Sequence, residues 1–251
     1  MKKFLVLASC ALALHAVAAS ADPQQRSFKV KLDAGEEERT ALVCAPQGSG
    51  PHPAVVFNHG SIVDGWGWPG AAQRGYRLGD VCEKLASHGY FAFAPIREAS
   101  PRGKGFQSYE DAYRLIVEQA IEHVMALAEV DRTRVALAGF SMGGLVSFRA
   151  AVERKDLRAV ALLAPAFGRG MLAKAAHNIA RVEAPLLVML EESDMRPIHQ
   201  GVEALQAAAR DAGKAIRIVR YNRGGGRELF YSVGYWWDDF AQFLQENLGK
   251  K

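Results

Sequence analysis

Six short, nearly continuous apolar runs punctuate the chain, at residues 54–57, 91–94, 135–138, 160–163, 186–190 and 216–219. Each is too short for a helix and too continuous for a strand with one wet face, so each reads as a strand buried on both faces. Helix-length stretches separate them. That alternation predicts an α/β fold with a mainly parallel central sheet flanked by helices, in one domain over residues 22–251. The clearest helix spans 110–127, where Tyr113, Ile116, Val117, Ala120, Ile121, Val124 and Leu127 form one apolar stripe. Further helices are expected over 78–87, 145–152, 201–212 and 236–248. Before the runs, 27–32 and 40–45 alternate polar with apolar around an acidic turn at 33–38, which predicts an N-terminal antiparallel hairpin at the sheet edge. A long glycine-rich loop is expected after Ser61.

The first 21 residues read differently. Lys2 and Lys3 precede an apolar stretch, 4–19, broken by His15, and Ala19-Ser20-Ala21 follows. This is the pattern of a secretory leader cleaved after Ala21, so the expected location is periplasmic or secreted. The stretch is too short and too rich in small residues for a membrane span. Cys10 would leave almost no apolar region ahead of it as a lipidation site. Losing Lys2 and Lys3 lowers the formal net charge from +4 to +2. That near-neutral balance argues against a nucleic-acid groove or a polybasic membrane patch. Cys44 falls in an expected strand and Cys82 in an expected helix, and the pair is read as two buried free thiols. No His-Glu-x-x-His, Cys-x-x-Cys or calcium-loop spacing is present, so neither a metal nor another cofactor is expected.

The candidate chemistry centres on 135–144, Val-Ala-Leu-Ala-Gly-Phe-Ser-Met-Gly-Gly. An apolar strand runs into Gly139-Phe140-Ser141-Met142-Gly143, which fits Gly-x-Ser-x-Gly, and a helix follows. This order is that of a nucleophile elbow. A serine at so tight a turn sits in strained backbone space, and side chains two residues either side would collide. The helix that starts there directs unpaired N–H groups and its positive end toward any oxyanion beside Ser141. Neither the dinucleotide fingerprint nor the phosphate-loop pattern fits the same glycines.

In a parallel sheet, ligands bind beyond the carboxyl ends of the strands. The residues there are Asn58-His59-Gly60-Ser61, Glu191-Glu192-Ser193-Asp194, and the stretch from Arg220 through Gly224-Gly225-Gly226-Arg227-Glu228-Leu229-Phe230. Together with Leu85-Ala86-Ser87-His88-Gly89-Tyr90, His59-Gly60, the elbow and Asp194 make the chain resemble the α/β-hydrolase superfamily, and within it the secreted dienelactone-hydrolase-like branch. The resemblance covers most of residues 22–251. It implies the single-domain α/β-hydrolase fold and Ser141 as nucleophile. It further implies an oxyanion hole from the amides of Met142 and of Gly60 or Ser61, with Asp194 as the triad acid.

One position departs from the pattern. Where the family resembles Gly-Gly-His-x-Leu-Phe, this chain has Arg227. A guanidinium stays protonated and cannot take a proton from Ser141, although it could hold Asp194 or an anionic substrate. Losing the base of such a triad costs roughly 10⁴ to 10⁶ in turnover. His59, His199 and His177 are the candidate substitutes. His123 is expected solvated on its helix, His88 to sit at a helix end, and His52 in a loop.

Trp66 and Trp68 are placed at the pocket mouth, either as an aromatic wall or as a cover for the core edge. Trp236 and Trp237 read as packing anchors. The expected activity is hydrolysis of small carboxylic esters or lactones through an acyl-enzyme on Ser141. A hydrolase-fold protein that binds a small anionic or acyl ligand without turnover is the alternative. A prolyl-oligopeptidase-like peptidase ranks third. The oligomeric state is left open.

Overall fold

The computed structural model describes residues 22–32, 35–97 and 106–249. The expected leader, residues 1–21, lies outside them. Eight strands form one sheet: β1 (Gln24–Leu32), β2 (Gly35–Cys44), β3 (His52–Asn58), β4 (Phe91–Pro95), β5 (Val130–Phe140), β6 (Ala159–Leu163), β7 (Leu186–Glu191) and β8 (Arg217–Tyr221). Their order across the sheet is β1-β2-β4-β3-β5-β6-β7-β8. Only the pairings β1–β2 and β2–β4 are antiparallel. The six strands from β4 to β8 run parallel, as expected for a doubly covered sheet.

Helices cover both faces: α1 (Ser61–Ala72), α2 (Leu78–Ser87), α3 (Phe106–Ala126), α4 (Met142–Glu153), α5 (Met171–Ala176), α6 (Arg196–Asp211) and α7 (Trp237–Leu248). The two-residue period of β3 shows how one strand feeds two cores. Ala54 and Val56 join the core under α3 and α4, while Val55 and Phe57 join the core under α2 and α7. The α3 stripe is buried from Tyr113 to Val124 as the spacing predicts, each large aliphatic contributing about 1.5–3 kcal/mol, while Leu127 falls just after the helix and is half-buried.

Several expectations about the elements change. Glu36, Glu37 and Glu38 belong to β2 rather than to a turn, because Lys31 and Lys29 lie opposite Glu36 and Glu38 and neutralise them across the ladder. The stretch after Ser61 is helical although Gly65, Gly67, Pro69 and Gly70 lower its propensity. Burial of Val63 and Ala71 outweighs that, and the helix breaks at Gly67 (φ 66°), before Pro69. Helix α6 starts at Arg196 instead of Gly201, with Pro197 in its first turn, where a missing N–H costs nothing. Strand β8 is not buried on both faces. It is an edge strand with Arg217 and Arg220 exposed, since only β7 pairs with it.

Cys44 and Cys82 are not free thiols; they form a disulfide with a Cα–Cα distance of 5.6 Å. Helix α2 lies across β2 on the core face both residues share, and local sequence carries no trace of that proximity. Closing a loop of 38 residues should stabilise the fold by about 4 kcal/mol on a chain-entropy estimate. Urea unfolding with and without dithiothreitol measures this, and a change under ~1 kcal/mol would refute a structural role for the bridge.

Candidate active site

Strand β5 delivers Ser141 to the carboxyl edge, and α4 begins at the next residue. The Ser141 backbone is at φ 53°, ψ −115°, a strained conformation held by three hydrogen bonds. Its N–H donates to the Leu163 carbonyl (2.9 Å), and its carbonyl accepts from Leu145 (3.1 Å) and Ala166 (2.8 Å). The flanking glycines are steric necessities. A Cβ on Gly139 would lie 2.4 Å from the Gly143 backbone, and one on Gly143 would lie 2.0 Å from the Asn58 carbonyl oxygen. Asn58, given no role by the sequence, ties β3 to the elbow by donating from Nδ2 to Ser147 Oγ (2.8 Å).

The residues expected to supply the oxyanion hole lie beside the serine. Met142 is the first residue of α4, Gly60 caps the N-terminus of α1, and Ser61 is its first residue. Gly60 sits so close that a Cβ there would be 2.9 Å from the Phe140 ring and 3.4 Å from Ser141 Cβ. Two helix N-termini therefore flank Ser141, both presenting unpaired amides and partial positive charge. Behind Phe140, the Tyr76 ring stacks at 5.4 Å and Tyr231 meets it edge-on at 5.8 Å.

Asp194 follows β7, and its side chain is only 2 % exposed. Its Oδ1 accepts from the Met195 N–H (2.7 Å) and from Arg227 Nη2 (3.1 Å), while its buried Oδ2 has no hydrogen-bond partner. Arg227, at the position where a base is expected, thus pairs with Asp194, the expected acid. The turn carrying Asp194 is pinned by Glu191, whose role the sequence reading missed. Burial opposes its charge, but hydrogen bonds from the Ser193 hydroxyl and the Arg223, Gly224 and Ser193 amides win and hold its carboxyl at about 2. The signal was a carboxylate two residues before a serine, read only as part of an acidic turn.

Among the described residues no candidate imidazole is hydrogen-bonded to Ser141. His59 is fully buried, and both its nitrogens are engaged. Nε2 accepts from the Arg97 backbone N–H (3.0 Å), and Nδ1 lies 3.0 Å from the Gly60 carbonyl, which assigns the proton to Nδ1. Burial and then the Arg97 charge push its pKa well below the ordinary value, so it is neutral and spoken for. His177 is exposed at the end of α5. His199, in the first turn of α6, is half-buried, and its Nε2 is buried without a partner. His123 is not solvated as expected; it packs on Phe28 (5.8 Å) and Phe93 (5.6 Å), because β1 lies against the polar side of α3. His52 opens β3 instead of lying in a loop.

The two tryptophans after Ser61 differ in their surroundings. Trp66 is 59 % exposed with the Arg74 guanidinium 3.5 Å above its ring, whereas Trp68 packs against the core. Trp236 and Trp237 are buried packing anchors. A groove of about 780 Å³ between α3, α4 and α5 lies at the far end of α4 from Ser141, and Arg114, Arg149 and Arg154 in it are already paired with carboxylates. We assign it no chemistry. Among the described residues no helix is long and apolar enough to cross a membrane.

A family model described as "Dienelactone hydrolase family" matches residues 40–225, a span that includes the elbow, Asp194 and the His59-Gly60 turn. The chain belongs to the dienelactone hydrolase family. It is 25 % identical over 198 residues to a Salmonella typhi protein called "Putative carboxymethylenebutenolidase", covering 68 % of this chain and 73 % of the relative. Among solved structures, it resembles a dienelactone hydrolase-like promiscuous phosphotriesterase from metagenomic libraries. That match has 18 % identity and a TM-score of 0.68, and covers 91 % of this chain and all of that one. It also resembles the Pyrococcus horikoshii acylaminoacyl peptidase, with 16 % identity and a TM-score of 0.66 over 92 % of this chain. The chain spans only 43 % of that peptidase. Within the dienelactone hydrolase family this chain has the Gly-x-Ser-x-Gly turn and an Arg227–Asp194 ion pair.

Proposed function

We propose that the protein hydrolyses small carboxylic esters or lactones through an acyl-enzyme on Ser141, at a rate limited by the missing base. The observation that carries this reading is the strained Ser141 backbone, kept between two helix N-termini by glycines that tolerate no side chain. Ser141 Oγ attacks the carbonyl carbon, and the oxyanion accepts hydrogen bonds from the Met142 amide and from Gly60 or Ser61. Collapse expels the alcohol, or opens the lactone, leaving an acyl ester on Ser141. Water then attacks that ester and releases the acid. Without an imidazole, the serine proton passes to solvent and the leaving group, so activated esters should react first. No metal or other cofactor enters the proposed chemistry, and the partner is the small-molecule substrate. We place the protein in the periplasm or outside the cell, which the leader-like residues 1–21 and the Cys44–Cys82 disulfide support.

The test is labelling by a fluorophosphonate alongside hydrolysis of p-nitrophenyl acetate. The wild type should label at Ser141 and the Ser141→Ala variant should not; ester turnover that survives this substitution would defeat the assignment. The Arg227–Asp194 pair favours a second reading, a protein that binds a small anionic or acyl ligand without turnover. Absence of labelling, together with saturable binding of a small carboxylate that Arg227→Gln removes, would establish it instead.

A further inference from the structure

Arg97 follows β4 and is completely buried. Its Nη2 donates to the His59 carbonyl (2.5 Å) and to Asp64 Oδ2 (3.2 Å) in the first turn of α1. Its backbone N–H donates to His59 Nε2 (3.0 Å), and its guanidinium lies over the Tyr113 ring of α3, 5.0 Å from the centroid. One side chain thus joins β4, the β3 turn, α1 and α3. Arg97 Nε and Nη1 and Asp64 Oδ1 are buried without hydrogen-bond partners, so the cluster is an expensive way to gain stability alone.

The peptide planes show what the cluster controls. The His59 carbonyl and the Gly60 N–H belong to one planar unit, so the guanidinium that holds the oxygen fixes the direction of the N–H. The Gly60 carbonyl and the Ser61 N–H form the next unit. That carbonyl accepts from His59 Nδ1 (3.0 Å), and the His59 ring is itself held by Arg97. A glycine turn would otherwise be free to rotate, and catalytic amides need placement to a fraction of an ångström. We infer that Arg97 is a positioning residue which, directly and through His59, sets the two successive peptide planes, His59–Gly60 and Gly60–Ser61, that carry the expected oxyanion amides beside Ser141. The clamp rests on the geometry alone, and its catalytic consequence rests on the esterase reading.

Two measurements on wild type, Arg97→Met and Arg97→Lys test the inference. The first is the second-order rate of Ser141 labelling by a fluorophosphonate; the second is hydrogen–deuterium exchange of residues 59–63 against 142–153. In the folded methionine variant, labelling should slow by at least ~10-fold, short of the 10²–10³ seen when an oxyanion donor is deleted outright. Exchange should quicken at 59–63 and not at 142–153. The lysine variant should recover part of both, because an ammonium reaches one of the two oxygens. If the methionine variant does not fold, the lysine variant decides by the same readouts. A lower melting temperature with labelling unchanged overturns the inference, whether or not exchange quickens. If the wild type itself does not label, the esterase reading fails and exchange alone decides the clamp: faster exchange at 59–63 supports it, and unchanged exchange overturns it.

Discussion

Replacing Arg227 by histidine should raise ester hydrolysis at least ~10²-fold, the lower end of what a positioned general base contributes. The acid is in place for it. Asp194 is nearly buried, its Oδ1 faces residue 227, and its Oδ2 has no other partner. An imidazole there would donate from Nδ1 to Asp194 and leave Nε2 free to accept the Ser141 proton. The carboxylate would fix the tautomer and stabilise the imidazolium as it forms. The gain should therefore vanish when Asp194→Ala is added. Arg227→Gln is the control, since it removes the guanidinium without supplying a base and should give no gain. Initial rates on p-nitrophenyl acetate decide the matter. Substantial wild-type turnover that His199→Gln or His177→Gln abolishes would instead reveal a relocated base and give Arg227 another task. Folded but inactive Arg227→His protein would transfer the assignment to the binding reading.

Gly143→Ala should cost about 3 kcal/mol or more, at or beyond the upper end of ordinary overpacking. Its Cβ would meet the Asn58 carbonyl oxygen at 2.0 Å and the His59 carbonyl oxygen at 2.6 Å. Both are backbone atoms at the buried carboxyl end of β3, so no rotamer change relieves the clash. The adjustment must come from β3 or from the first turn of α4, and either movement spoils the approach of Gly60 to Ser141. Gly65→Ala offers the contrast: nothing lies within 4 Å of its Cβ, and it should be neutral or slightly stabilising. Urea midpoints for the two variants provide the comparison. A Gly143→Ala protein within ~1 kcal/mol of wild type would show that the elbow tolerates a side chain and would weaken the site built on it.

Much of the site's position was legible because chemistry in a parallel sheet collects where apolar runs end. Ser141, the Gly60–Ser61 turn, Asp194 and Arg227 were each found by reading the residues after such a run, and the structure brings them to one edge. Arg97 obeys the same rule, lying just beyond the run at 91–94, and goes unnoticed in the sequence because a buried arginine announces itself only when its partners are known. Glu191 was seen as a carboxylate, but its four donors come from the turn after it and from a loop more than thirty residues further on. His59 shows the converse case. Proximity to the elbow made it a candidate base, and only the hydrogen bonds to both ring nitrogens show that it is occupied.

The sequence by itself determined the α/β alternation, the helix stripes, the edge hairpin and the elbow. These depend on side-chain periodicity and on glycines within a few residues of one another, so they are written locally. Tertiary structure decided which distant segments meet. It turned Cys44 and Cys82 into a disulfide, made α1 helical against its own propensity, left β8 at an edge and set Arg227 on Asp194. Each of these outcomes balances burial or charge across elements far apart in the chain, and no window of local pattern contains both partners.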